Sequence, residues 1–143
     1  MKALSIQQPW AQLYLEDKNV ENRTWYTSYR GPLLIHAGKR RDNQVWNSEL
    51  QRPPYNVLGA LIGLVEIINC TRDRPPNSVW HEDGQFGLYR APNPLMFITP
   101  IRYRGQLGIF DVPDDIVAEA IGQTISINNL DRAHAAGAEE EQT

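Results

Sequence analysis

A lysine, a glutamate and an arginine fall within six residues near the start of the chain, as Lys18, Glu21 and Arg23, with Trp25 two residues further on. Side chains in an extended segment alternate between faces. A strand beginning near Val20 therefore places Glu21, Arg23 and Trp25 on one side, and Lys18 folds back toward them from the preceding turn. A cation, a carboxylate, a forked guanidinium and an aromatic plate are the groups that grip a nucleotide. They supply charge for phosphate, donors and acceptors for a base edge, and a ring for stacking. The same residue types at a strand edge also form a solvated surface or a structural ion pair of small value, and spacing alone leaves both readings open. Lys18 lies on a turn rather than in an apolar pattern, so it reads as part of a site, and its loss is expected to cost little stability.

The elements that must position these groups are short. Leu4-Ser5-Ile6 reads as a strand. Pro9 suits the first turn of a helix in which Trp10, Leu13 and Tyr14 repeat at helical spacing. Arg30-Gly31-Pro32 is a turn, and Leu33 to Ala37 a buried strand that carries His36, a hydrogen-bonded core histidine or a pocket residue. Gly38-Lys39-Arg40-Arg41 reads as a basic turn. Asp42 reads as the N-cap of a second helix through Val45, Trp46 and Leu50, ended by Pro53-Pro54. Val57 to Asn69 is the longest β-run, and Gly59 and Gly63 inside it suggest a bend. Glu66 on that run needs a partner, a cavity or a surface position. Thr71 to Gly84 is a long polar loop whose Trp80-His81-Glu82 reads as a lid or a packed corner. Strands follow at Phe86–Tyr89, Met96–Ile98 and Gly105–Val112. A last helix with Ile116, Val117, Ala120 and Ile121 is expected to stop at Gly122. Many short strands and few helices predict an α+β fold, a small mixed β-barrel with two or three flanking helices.

The 143 residues suit one domain, expected over 1–122, with 123–143 as a flexible acidic tail. Hydrophobic residues make up 41% and charged residues 22%, ordinary values for a globular chain. The single Cys70 excludes an internal disulfide, and the sequence holds no paired Cys/His metal spacing, P-loop or repeat. The start lacks the apolar stretch of a secretion signal, and the longest apolar run is too short to span a bilayer, so a cytoplasmic location without membrane contact is expected. The net charge of −3 is unevenly spread. Residues 1–113 hold 13 Lys and Arg against 10 Asp and Glu, while 114–143 hold one Arg against seven acids. The folded part is mildly basic, short of the signature of a dedicated duplex binder.

The ordered motifs resemble the ASCH domain, a relative of the PUA domain. The family signature Gly-x-Lys-x-x-Glu-x-Arg reads here Glu16-Asp17-Lys18-Asn19-Val20-Glu21-Asn22-Arg23, with Glu16 in place of the glycine. Ser5-Ile6-Gln7-Gln8-Pro9-Trp10-Ala11 before it, Tyr29–Ala37 after it and Arg104–Val112 near the end extend the resemblance over most of residues 3–113. It implies a PUA-like barrel with a cleft beside the signature, an association with RNA metabolism and transcriptional coactivation, and no cofactor. One bacterial branch hydrolyses N4-acetylcytidine with the signature lysine, a threonine three residues later and a downstream glutamate, and nuclease activity is associated with another member. Here Lys18 matches the lysine, Glu21 stands at the threonine position, and Glu66 and Glu82 are the candidate glutamates.

Three functions follow as expectations. The first is binding of RNA or a nucleotide-like molecule. Lys18 and Arg23 would meet phosphate or base acceptors, and Lys39, Arg40 and Arg41 would flank them. Glu21 would accept from an amine or fix Arg23, Trp10 or Trp25 would stack, and Gln8 or His36 would read a base edge. The second is hydrolysis, with a desolvated Lys18 as base or activator and Glu21, Glu66 or Glu82 as proton shuttle. The third is a protein-interaction module with an unspecified partner, in which the signature only holds the barrel shut.

Overall fold

The twelve-residue run Ala60–Thr71 organises the sheet. Its branched apolar residues suit a strand buried on both faces, and Leu61, Ile62, Val65, Ile67 and Cys70 are buried. In this computed structural model, which describes residues 1–45 and 48–125, the strands are β1 (Lys2–Gln8), β2 (Val20–Arg23), β3 (Gly31–Arg41), β4 (Ala60–Thr71), β5 (Phe86–Arg90), β6 (Leu95–Arg102) and β7 (Ile109–Asp111). A short helix α1 (Trp10–Tyr14) follows β1, a 3-10 turn covers Ser48–Leu50, and residues 114–125 form helix α2. β4 pairs antiparallel with β3 along one edge. Its other edge is divided, the first half pairing with β6 and the second with β5. Gly63 lies in the half paired with β6, beside an irregularity in its register. A Cβ there would lie 2.5 Å from the Leu95 carbonyl oxygen and 2.6 Å from Leu15, so the close approach of β6 and α1 requires glycine.

β1 runs parallel to β3 and antiparallel to β7, giving the order β2-β5-β4-β3-β1-β7 with β6 branching from β4. Alternate residues of β3 face two cores. Leu33, Ile35 and Ala37 pack with Leu4, Ile6, Tyr14 and Leu15 under α1. Leu34 packs with Ala3, Leu61, Phe97, Phe110 and Val117 under α2. Each fully buried side chain of this size contributes about 1.5–3 kcal/mol.

The expected α+β class holds, but the sheet is not closed into a barrel: among the described residues, β2 and β7 end it without pairing to each other. β7 pairs with β1 only over Lys2 to Leu4, so the edge of β1 beyond Leu4 has no ladder partner on that side. The Arg23 side chain bridges from β2 to that edge, donating from Nη2 to the Ser5 carbonyl at 2.9 Å. The opening has consequences for the site.

Other elements differ from the sequence pattern for identifiable reasons. The basic stretch 38–41 is the end of β3 rather than a turn, because Arg41 pairs with Gln8 and the Asp42 N–H donates to the Gln8 carbonyl at 2.8 Å. Asp42 caps no α-helix. Its carboxylate accepts from Trp10 Nε1 at 3.1 Å and the Gln44 N–H at 3.1 Å, and between Asp42 and Pro53 the 3-10 turn is the only helical structure among the described residues. Trp46 lies outside the described residues. Helix α2 passes Gly122 to residue 125, with buried Thr124 donating to the Ala120 carbonyl at 2.8 Å. The expected boundary thus falls within a helix, and tail residues 126–143 lie outside the described chain. No described helix is long and apolar enough to cross a membrane.

Candidate functional site

α1 ends at Tyr14, and the turn after it returns the chain so that the Lys18 N–H donates to the Leu13 carbonyl at 3.0 Å. Arg90 holds this turn from β5. Its guanidinium donates to the carbonyls of Tyr14 at 2.7 Å, Glu16 at 2.6 Å and Ala91 at 3.1 Å, the first two at the carbonyl end of α1. Glu16 occupies the turn without a positive φ. Its carboxylate accepts from Gln12 Nε2 at 3.0 Å and Tyr55 OH at 2.7 Å, a role a glycine could not fill.

Lys18 is 4% exposed, which overturns the expectation that the fold does not need it. Its ammonium donates to the Val20 carbonyl and to Glu21 Oε1 at 3.3 Å, and stands 5.8 Å from the Trp10 ring centre. Burial lowers its pKa, and the neighbouring Glu21 carboxylate opposes the shift. The other Glu21 oxygen accepts from Arg23 Nη2 at 3.1 Å, so one carboxylate serves two cations. Arg23 Nε is buried without a hydrogen-bond partner. Glu21 and Arg23 share a face of β2 as the alternation predicts.

A wall that the signature does not contain comes from the loop between β4 and β5. Asn22, between Glu21 and Arg23, clamps it by donating from Nδ2 to the Trp80 carbonyl at 2.9 Å and accepting at Oδ1 from the Glu82 N–H at 2.9 Å. His81 anchors the same loop below the surface. Its Nε2 lies 2.9 Å from the Gln85 carbonyl, which can only accept, so Nε2 carries a proton, and its Nδ1 is hydrogen-bonded with the Tyr89 hydroxyl. Gly87 makes room for this ring, since a Cβ there would lie 2.7 Å from Val20 and 3.0 Å from His81.

Between these walls and the unpaired edge of β1 is a cleft of about 800 Å³ lined by Ser5, Ile6, Gln7, Trp10, Lys18, Glu21, Asn22, Arg23, Arg74 and residues 79–83. Its cations are paired: Lys18 and Arg23 with Glu21, and Arg74 with Asp83 at 3.5 Å.

Of the residues singled out from the sequence, Trp10, Lys18, Glu21, Arg23 and Glu82 meet here. Gln8 does not. It is buried, donating to the Val57 carbonyl at 2.9 Å and accepting from the Gln12 N–H at 3.0 Å. His36 is a satisfied core residue, its Nε2 donating to the Tyr103 carbonyl at 2.7 Å and its Nδ1 accepting from the Ser5 hydroxyl at 2.9 Å. Trp25 lies beyond the end of β2 and lines a separate depression with Tyr26 and Ile109, although Arg23 remains 6.0 Å from its ring. Glu66 is exposed on β4 and lines no part of the cleft, so Glu82 is the candidate glutamate near Lys18. Lys39, Arg40 and Arg41 are exposed outside the cleft. Gln7, Asn22, Arg74 and Trp80 were not foreseen as lining residues. The sole signal was the Trp-His-Glu run inside a polar loop. Among the described residues no cluster of His, Cys, Asp or Glu is placed to hold a metal ion.

A family model described as the ASCH domain matches residues 4–111. The chain belongs to the ASCH domain family. Two curated relatives, both named activating signal cointegrator 1, come from Homo sapiens and Mus musculus. Each is 30% identical over 132 residues, covering 79% of this chain and 22% of the relative. The chain therefore spans about a fifth of their length. In this ASCH domain the signature is one wall of the cleft, and the β4–β5 loop is the other.

Proposed function

We propose that this ASCH domain binds RNA or a nucleotide-like molecule in the cleft between β1 and β2, in a cytoplasmic setting. The observation that carries the reading is the convergence of the signature side chains and two indoles, Trp10 and Trp80, on one opening of nucleotide dimensions. The indoles provide stacking faces. Glu21, Asn22 and Gln7 provide donors and acceptors for a base edge. The general association of the family with RNA supports the same assignment. Titration with cytidine monophosphate and short single-stranded RNA, followed by tryptophan fluorescence, tests it. Trp80→Ala should weaken binding about tenfold or more, the value of a lost stacking platform, while leaving the thermal midpoint nearly unchanged. Equal affinity for parent and variant would remove the cleft from consideration.

A second reading, hydrolysis of an N4-acylated cytidine, is favoured by one specific feature: the buried Lys18 has a lowered pKa and shares the cleft with Glu82. An amine with a lowered pKa is neutral over more of the accessible pH range and can accept a proton there. Release of cytidine from N4-acetylcytidine, lost in Lys18→Ala and rising with pH through the lysine titration, would establish it. No release at any pH would leave binding alone.

A further inference from the structure

The cations outside the cleft have a different setting from those inside it. Ala37, Ala60 and Arg102 stand in register across β3, β4 and β6. Lys39 and Arg104 extend from the same end of the sheet. Two adjoining depressions of about 730 and 440 Å³ share Lys39 and Arg104 as lining residues, and Arg102 lines the larger one. Among the described residues no carboxylate lines either depression, and Lys39, Arg102 and Arg104 enter no ion pair. All three side chains are exposed.

The backbone beneath them is tied down. The Tyr103 N–H donates to the Gly59 carbonyl at 3.1 Å, and the Tyr103 carbonyl accepts from His36. Gly105 sits so close to His36 that a Cβ would lie 2.8 Å from its ring. The groove also adjoins the cleft. Ser5 lines both, its carbonyl taking Arg23 on the cleft side and its hydroxyl meeting His36 beneath the groove.

We propose that this groove, formed by Lys39, Arg102 and Arg104, is a phosphate-binding track for single-stranded RNA that continues from the cleft across Ser5. The inference rests on the cleft reading above and deepens it: the ligand is an oligonucleotide with one base in the cleft and neighbouring phosphates on the track. Electrostatics divides the labour. The three cations lining the cleft, Lys18, Arg23 and Arg74, are balanced by three carboxylates, Glu21, Glu82 and Asp83, so they add little net attraction for a polyanion. Cations of the groove are exposed, stand in no ion pair among the described residues, and lie on or just past the end of the sheet, the condition under which phosphate contacts release counterions. A single strand fits better than a duplex, because a base must leave its stack to enter the cleft.

The test uses the full chain, a fluorescein-labelled single-stranded RNA of about twelve nucleotides, a duplex of the same sequence, and cytidine monophosphate. Anisotropy is read over a series of salt concentrations. Combined Lys39→Ala, Arg102→Ala and Arg104→Ala should lower affinity for the labelled strand at least tenfold. The slope of log affinity against log salt should flatten by about 2, from three contacts at about 0.7 each. Affinity for cytidine monophosphate and the thermal midpoint should stay at the parent values. A charge-conserving variant, with Lys39→Arg, Arg102→Lys and Arg104→Lys, should restore most of the slope. Parent-like affinity and slope in the alanine variant would overturn the track while leaving the cleft reading intact. So would a matched loss of mononucleotide binding, or duplex binding as tight as single-strand binding. If the parent binds neither the mononucleotide nor the strand, the cleft reading falls and the track with it.

Discussion

The cleft and the groove are built from the same residue types on either side of Ser5, yet they hold charge in opposite ways. In the cleft Lys18 and Glu21 are buried, and Lys18 and the partly buried Arg23 both meet the Glu21 carboxylate. In the groove Lys39, Arg102 and Arg104 are exposed, and no acid lines their surroundings among the described residues. Removing a charge from water is expensive unless a partner compensates, so burial enforces pairing, whereas an exposed cation can stand alone at little cost. A signature residue in such a cleft is therefore also a structural residue.

Breaking the cleft's pairing should produce the largest effect. Glu21→Gln strands Lys18 and Arg23 together, and a broken buried pair costs about 3–5 kcal/mol. Chemical denaturation should show that loss. Lys18→Ala should cost less than Glu21→Gln, because Arg23 still neutralises Glu21. Adding Lys18→Met to Glu21→Gln should recover part of the stability, and a double variant whose cost is the sum of the single costs would mean that the triad is not coupled.

The second wall offers a smaller target. Asn22→Ala removes both clamps on the β4–β5 loop, and lost hydrogen bonds of this kind cost about 1–3 kcal/mol. Amide exchange around Trp80 and Glu82 should accelerate, and affinity for cytidine monophosphate should fall. Exchange rates equal to the parent's would show that His81 holds the loop alone.

Acid should weaken the partition between cleft and groove through His36. Burial lowers its pKa from the usual value near 6.5, and the hydrogen bond to the Tyr103 carbonyl opposes the shift. The folded protein then binds fewer protons than the unfolded chain below about pH 6.5, so stability is full above that value. It declines as pH falls toward the folded-state pKa, by at most about 1.4 kcal/mol per pH unit. Calorimetry across this range, compared with His36→Gln, should show that component disappear in the variant. An identical pH dependence in both would assign the acid sensitivity elsewhere. The smallest effect is expected at Glu66, where Glu66→Gln should change stability by less than about 0.5 kcal/mol and leave ligand binding unaltered. A large loss of binding there would move the functional glutamate from Glu82 to β4.

Local patterns carried much of this protein. Alternation along β2 placed Glu21 and Arg23 on one face, helical spacing marked α1, and the β-branched run of β4 marked the central strand, because each depends on neighbours close in sequence. Partners across long separations were not legible. Gln8 carries polar groups suited to a base edge but is bound to Val57, and His36, of its two readings, takes that of a hydrogen-bonded core histidine, with Tyr103 as a partner that no local pattern names. The stretch 38–41 has the composition of a turn and became strand because β1 supplied a parallel partner.

The sequence by itself determined the α+β class, the order of strands along the chain and the ASCH signature that joins Lys18, Glu21 and Arg23. The tertiary structure alone decided that the sheet stays open, that Arg23 reaches the unpaired edge of β1 there, and that Trp80 and Glu82 rather than Glu66 complete the cleft. It also brought Arg102 and Arg104 beside Lys39, more than sixty residues away in the chain. The physical reason is that strand pairing and the pairing of buried charges are settled between distant segments, by backbone groups and carboxylates that must find partners once water is excluded.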